Sequence, residues 1–448
     1  MNNQKKSMFI LADGTNVVVT FTLDSSLFLL WGFCNGMIDV MDKHFQSELH
    51  LTLAQSAWVQ FAHYLGYFLM ALPAGWLATK LGYKAGIIAG LLMVALGGFW
   101  FIPATQIASF WAFLVGVCVI AAGLTFLETI ANPYTTVLGD LRYAATRINL
   151  AQSCNGIGWI FGPLAGAAFF YGKDASGAST GAQTLWIPYA AVGAGVLVLA
   201  VIFFFAKVPD VKMEDDYHLD DSAPNVSHSI WKQPHFVMAV AAQFLYVAAQ
   251  AGIFSFFINY MTSQTPPVPD AWTSGTLKSW FETGKEGVRV LSDQGAANLA
   301  SLGFFCFLVG RFSGAAILKK FAAHKVLGLY GLINVIVCLL VVFKLGWFSV
   351  ICVFLSYFFM SIMFPTIFAL GIHGLGLRAK KASAFIVMAI MGGAILPKLM
   401  GHVGDLHGMS RAFVVPLACF AFVSFYGYAW PRLSKCESMT SGGPVPGH

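Results

Sequence analysis

Two carboxylates stand inside stretches otherwise apolar enough for lipid: Asp39 in W-G-F-C-N-G-M-I-D and Glu128 in L-E-T-I-A-N-P-Y. An ionisable group within a membrane span is costly and usually marks a pathway. Burial disfavours the charged form of a carboxyl, so such a group can take up and release a proton and couple that movement to a solute. Blander readings stay open beside this one. Asp39 fits a helix-end residue at headgroup level, and Glu128 fits a satisfied hydrogen bond between helices.

Amides and a phenol fall on helical faces around these acids. Glu128 and Asn132 are four apart, with Pro133 following to loosen the backbone, and Gln152 and Asn155 are three apart. Gln243, Tyr246 and Gln250 follow an i, i+3, i+7 pattern. A sugar stripped of water needs a partner for each hydroxyl, and an amide offers donor and acceptor together. Aromatic side chains such as Trp31, Phe33, Tyr64 and Phe254 are suited to cover the apolar face of a pyranose. Any one of these amides serves equally well to hold two helices together; three faces in three helices point to a shared polar cavity. His63, beside Tyr64, reads either as a structural hydrogen-bonding residue or as part of the pathway. Arg311 and Lys398 lie near span ends, where long cations snorkel or pair, and are not expected to be ligands.

The elements that position these residues follow from composition. Of 448 residues, 58% are hydrophobic and 10% charged, with a mean hydropathy of +0.72. Soluble domains carry roughly a quarter charged residues, so this chain is expected to be an all-α membrane protein. Runs of about twenty apolar residues are found at 20–42, 53–79, 85–103, 107–131, 147–171, 185–207, 234–262, 294–318, 324–343, 347–372, 381–404 and 410–430. The hydrophilic stretch 208–233, with Asp210, Glu214, Asp215, Asp216, Asp220 and Asp221, reads as a linker between a first six-helix bundle (1–207) and a second (234–448).

Loop charge sets the orientation. Lys80, Lys84, Arg142, Arg147, Lys319, Lys320, Arg378 and their neighbours crowd one side, while Lys43, Lys173, Lys278 and few others lie on the other. Both termini are therefore expected in the cytoplasm. The longest external loop, about 263–293, reads as a short surface helix or a tether. The net charge of +6 forms no basic stripe, so no nucleic-acid partner is expected. Eight cysteines without CxxC spacing or neighbouring histidines read as small buried hydrophobes, and neither a metal nor a cofactor is expected. No cleavable signal peptide is expected, since the first apolar run is long enough to span.

The halves repeat one another. G-W-L-A-T-K-L-G-Y-K (Gly75 to Lys84) and G-A-A-I-L-K-K-F (Gly314 to Phe321) both place lysine five residues after glycine at a cytoplasmic turn. The fifth and eleventh runs both carry early glycines (Gly156 and Gly158; Gly392 and Gly393) and a later proline (Pro163; Pro397). Repeated six-helix halves are found in many secondary transporters, whose substrate site lies near mid-membrane between them. A membrane enzyme would need a catalytic or metal cluster at one membrane face, which the sequence lacks. A receptor would leave the acids and amide faces without a role.

At these residues the chain resembles the fucose:proton symporter family of the major facilitator superfamily. The resemblance rests on H-Y-L-G-Y-F-L-M-A-L-P-A-G (His63 to Gly75), L-G-Y-K-A-G (Leu81 to Gly86), F-L-E-T-I-A-N-P-Y (Phe126 to Tyr134), R-I-N-L-A-Q (Arg147 to Gln152), M-F-P-T-I-F-A-L-G-I (Met363 to Ile372) and G-G-A-I-L-P (Gly392 to Pro397). It implies import of a hexose or related sugar, of the fucose, glucose, galactose or N-acetylglucosamine type. Protons would drive import by alternating access, through a monomer in a bacterial inner membrane. Sodium coupling is the alternative within the class. The family's acidic positions match Asp39 and Glu128, and its cavity amides match Gln152 and Asn155. Asn35 matches the start of the polar segment of the first helix, and Phe364 stands where some members carry tyrosine. With Asn132, His63, Gln243, Tyr246 and Gln250, these form the expected substrate site. Gly36 and Ile38 replace positions that are commonly polar in the family, which argues against fucose itself. Thr79 stands where the general superfamily motif carries an acid.

Overall fold

The computed structural model describes residues 8–11, 14–139, 144–171, 184–209, 230–268, 280–283, 289–318, 321–373, 375 and 379–434, and only the backbone for several helical residues, Asn132 among them. Residues 210–229 of the expected linker and the loop cations Lys5, Lys6, Arg142, Lys173, Lys278, Lys319, Lys320 and Arg378 lie outside the described residues. By contact the chain divides into two units, Met1–Leu49 with Ala62–Glu214 and His50–Phe61 with Asp215–His448.

In the first unit, α1 (Val18–Leu49), most of α3 (Trp58–Ile107), α4 (Phe110–Val137), α5 (Ala144–Phe169) and α6 (Trp186–Phe205) carry the spans. The long α3 is two helices broken at Gly82, whose φ of +80° and ψ of 174° favour glycine. Helices α1 and α5 pack along their length. A Cβ on Gly158 would overlap the Leu29 carbonyl, and one on Gly162 would come within 2.7 Å of the Gly36 backbone. Lipid supplies no hydrophobic drive between helices, so this backbone approach is how the pair gains dispersion contact. Phe101 stacks on Tyr189 at 3.9 Å beside it.

The second unit holds α2 (Leu53–Ser56), α7 (Pro234–Ser255), α8 (Phe257–Gln264), α9 (Asp293–Leu318), α10 (Ala323–Val342), α11 (Trp347–Met360), α12 (Met363–Ile372), α13 (Ala379–Met388), α14 (Gly392–His407), α15 (Met409–Ala412) and α16 (Val414–Ser434). The expected tenth run is split into α11 and α12. Pro365 has no N–H to offer the Ser361 carbonyl, and Ser361 turns its hydroxyl back onto the Phe358 carbonyl at 2.7 Å. The expected eleventh run is split by a 3₁₀ turn at Ala389–Met391, directly before Gly392 and Gly393. The expected seventh run is interrupted at Phe256, for which the packing gives no physical account.

The short α2 is anchored within this unit. Thr52 and Gln55 form a capping box, and the Asp405 carboxylate accepts the Leu53 and Ala54 N–H groups at 2.8 and 3.0 Å. The Lys398 ammonium lies 3.9 Å from the Trp58 ring centroid, a cation–π contact rather than an escape to water.

Ten helices among the described residues are long and apolar enough to cross a membrane. The segments 58–79 and Ala144–Phe169 are not among those ten; they carry His63 in one case and Arg147, Gln152 and Asn155 in the other. Together they make twelve. In the loop expected to be external, β1 (Phe281–Thr283) and β2 (Arg289–Leu291) pair antiparallel, Phe281 opposite Leu291, and residues 269–279 and 284–288, where a surface helix or tether was anticipated, lie outside the described residues.

The α1–α5 contact yields a paired test. Gly158→Ala is expected to destabilise the protein by about 1–3 kcal/mol through overpacking, read as a lower thermal midpoint in detergent. Gly195→Ala in α6, where an added Cβ meets nothing within 4 Å, is expected to leave the midpoint equal or slightly higher.

Candidate functional site

In the first unit the polar residues gather where α1 faces α3 and α4. The Trp31 indole N–H donates to the Tyr67 hydroxyl at 2.6 Å. Tyr67 is held between His63, with ring centroids 5.0 Å apart, and Tyr64, at 6.4 Å. Asn35 reaches the same hydroxyl, and Glu128 is near enough for its charge to act there. The Tyr67 hydroxyl therefore ties α3 to α1, with Glu128 of α4 close by. Asn35 is buried, with its amide oxygen lacking a hydrogen-bond partner. Asp39 lies one turn further along the same face of α1 and is also buried.

The α5 amides divide. Asn155 is buried and its amide N–H donates to the Phe28 carbonyl at 3.3 Å, which makes it a tie between α5 and α1. Gln152, one turn earlier, is half-buried. The side chain of Asn132 lies outside the described residues.

In the second unit, Gln243 is fully buried and neither atom of its amide has a partner. Tyr246 donates its hydroxyl proton to the Met360 carbonyl at 2.9 Å, beside the break between α11 and α12. It thereby satisfies a carbonyl at a helix end, where the ladder leaves acceptors unpaired. The Phe364 ring lies 6.5 Å from that of Tyr246. Gln250 is half-buried one turn further along α7. Phe254 belongs to an aromatic cluster with Phe304, Phe307 and Tyr357, with centroids 4.6 to 5.9 Å away. It is packing rather than a free platform. Arg311 lies 5.0 Å from the Phe307 centroid.

Two side chains escaped the sequence reading. Tyr67 was available as an i+4 partner of His63 and an i+3 partner of Tyr64, but an aromatic at helical spacing is ordinarily core. Asp24 sits inside the first apolar run by the same criterion that singled out Asp39. Its position one turn from the run's start, among Thr20, Thr22, Ser25 and Ser26, disguised it as a helix end. Among the described residues no group of three or more His, Cys, Asp or Glu side chains is placed to hold a metal.

Twelve helices of spanning length, with buried polar side chains within each unit, define a membrane transporter rather than a lipid-embedded scaffold. A sequence profile of the Major Facilitator Superfamily matches residues 25–397, and the chain belongs to that family. It is 37% identical over 429 residues to the L-fucose-proton symporter of Escherichia coli K12, covering 91% of this chain and 92% of that one. It is 34% identical over 403 residues to the glucose/galactose transporter of Brucella abortus, covering 90% and 91%. Among solved structures, it superposes on the E. coli fucose:proton symporter FucP in the outward conformation with a TM-score of 0.65 at 36% identity, covering 92% of this chain and 99% of that one. A D-xylose-proton symporter, at 10% identity and a TM-score of 0.70, shares the fold.

Gln243 gives this site a direct test. Two buried, unpartnered polar atoms cost about 1–3 kcal/mol each, so Gln243→Leu is expected to raise the thermal midpoint of the ligand-free protein. A lowered midpoint would show that the amide is a structural tie.

Proposed function

We propose that this protein imports a hexose or a related sugar together with a proton, by alternating access across a bacterial inner membrane. What carries the reading is the pairing of a buried polar cluster around Glu128, Tyr67, Trp31 and Asn35 with likeness to sugar-proton symporters along nine-tenths of the chain. Asp39 and Glu128 are the proton-coupling acids. Asn35, Asp39, His63, Gln152 and Asn155, with Asn132, serve the sugar from the first half, and Gln243, Tyr246, Gln250 and Phe364 serve it from the second.

Chemistry favours this division. The Tyr67 hydroxyl accepts the Trp31 N–H and so keeps its own proton free to donate, either to a carboxylate or to a sugar oxygen. When Glu128 carries a proton, that donor is released for substrate. When Glu128 gives its proton up, the hydroxyl turns back to the charge. The sugar and the Glu128 carboxylate would then compete for the same hydroxyl, so that protonation of Glu128 favours sugar binding and sugar binding favours protonation, which is the linkage a symporter needs. Halves at 1–207 and 234–448 joined by a cytoplasmic linker at 208–233, with both termini in the cytoplasm and a monomer as the working unit, complete the proposal.

Because the proton is a co-substrate, sugar uptake should rise as the external pH falls at constant internal pH. Proteoliposomes under an imposed pH gradient, offered a panel of hexoses and amino sugars, test this. Accumulation driven by a sodium gradient alone would replace the proton with sodium, and no uptake of any sugar would remove the reading. Glu128→Gln is expected to lower pH-driven accumulation about a hundredfold, the scale of a lost proton-transfer group, with a smaller effect on exchange of labelled sugar. Asp39→Asn should abolish accumulation; wild-type accumulation by that variant would return Asp39 to a helix-end role.

A further inference from the structure

Asp24 lies in α1 with no exposed surface, and among the described residues neither of its carboxyl oxygens has a hydrogen-bond partner. The titratable side chains on the neighbouring elements are Cys118, Glu128 and Tyr134 on α4, Arg147 and Cys154 on α5, Tyr189 on α6, and His63, Tyr64, Tyr67, Lys80, Tyr83 and Lys84 on α3. Among the described residues none of them bonds Asp24 or acts on it electrostatically. Of the cations in that set, Arg147 gives its guanidinium to the carbonyls of Thr135, Met8 and Gly139 at 2.9, 3.0 and 3.3 Å, Lys84 donates to the Ala206 carbonyl at 2.9 Å, and Lys80 lies 4.5 Å from the Trp76 ring centroid.

A structural role for this acid has no support. A carboxyl that neither accepts a hydrogen bond nor pairs with a cation contributes nothing to packing that leucine or asparagine would not, and its charged form is penalised by burial. Its place on the helix is more informative. Asp24, Trp31, Asn35, Asp39 and Asp42 are separated by 7, 4, 4 and 3 residues and so fall within one stripe of α1. Asp39 and Asp42 have interaction partners; Asp24 does not. It sits eleven residues before Asn35, roughly 16 Å along the axis, toward the helix end that faces the cytoplasm in the proposed orientation.

We propose that Asp24 is a third proton-binding carboxyl of this chain, the station from which the co-transported proton leaves toward the cytoplasm. The step is a simple exchange. Water reaching Asp24 takes the proton of its carboxyl O–H bond, leaving the carboxylate. A proton relayed by water from the Asp39 and Glu128 end of the pathway then restores the acid. No other bond is made or broken. This inference rests on proton symport as proposed above and adds to it a residue to which neither Asp39 nor Glu128 is equivalent.

The test uses the full-length purified protein and the variants Asp24→Asn, Asp24→Leu and Asp24→Glu. Infrared difference spectra in H₂O and D₂O are expected to show a protonated-carboxyl C=O band that is missing from the Asn and Leu variants and returns, shifted, in Glu. This measurement needs no substrate, so it decides whether Asp24 holds a proton even if the wild type transports no sugar. An unchanged band in Asp24→Asn overturns the proposal. In proteoliposomes, the wild-type uptake rate should depend on lumenal pH. Asp24→Asn is expected to lower pH-driven uptake relative to exchange by about tenfold, the weight of one pH unit on a single titrating group, and to flatten that dependence, while Asp24→Glu restores both. Wild-type rate and wild-type lumenal-pH dependence in Asp24→Asn overturn it as well. Wild-type protein that takes up no sugar under a proton gradient sinks the symport reading, and with it the exit role of Asp24.

Discussion

Within a bilayer, a polar group that loses its protein partner has no water to fall back on, and the interior of this chain is arranged around that constraint. Most buried polar side chains are consumed as ties. Arg147 bridges three carbonyls, those of Thr135 in α4, Gly139 just beyond it and Met8 before α1, Tyr246 takes the Met360 carbonyl at a helix break, and Trp430 donates to Leu370 at 3.0 Å. Asn155 fastens α5 to α1. Among the described residues, the atoms left without a hydrogen-bond partner once the ties are subtracted include the Asn35 oxygen, the Gln243 and Asn334 amides and the Asp24 carboxyl. Each unmatched group is costly, so its persistence in a folded chain asks for a compensating use. Asn35, Gln243 and Asp24, of the proposed substrate and proton paths, belong to this remainder.

The same subtraction shows what the sequence could and could not disclose. Helix number was legible, and Glu128 could be singled out as a candidate, because hydrocarbon imposes length and apolarity on every span and an acid stands out against that background. The ties were not legible. Asn155 and Gln152 look alike as letters three apart, and only the α1–α5 approach shows that one of them is spent on Phe28. Phe254 looked like a sugar platform because an aromatic beside amides is ambiguous until its neighbours are known. The helix breaks in the second unit were signalled in part: Pro365 and the Gly392–Gly393 pair foretold two of them, but the position of each gap depends on which carbonyl a nearby serine or tyrosine is free to satisfy. The Tyr67 hub required three helices to be placed, which no single periodicity supplies.

The α1–α5 contact also bears on which sugar the proposed site would accept. The resemblance to the fucose:proton symporter family leads one to expect a polar residue around the position of Gly36, and its lack reads in sequence as lost hydrogen bonding. The packing gives a prior cause. A Cβ at Gly36 would lie 3.0 Å from both the Pro163 ring and the Trp159 carbonyl, tighter than ordinary van der Waals contact. An asparagine at this position would therefore have to push α5 away or turn from it, and the tie from Asn155 to Phe28 holds α5 in place. The polar stripe of α1 is thus narrowed by close helix packing rather than by an isolated substitution, and Ile38, 1% exposed, closes its other edge. Substituting Gly36 alone with asparagine adds an amide where there is no room for it. A change of sugar preference along this face would need α5 to move with it, so specificity here belongs to a pair of helices, not to one side chain.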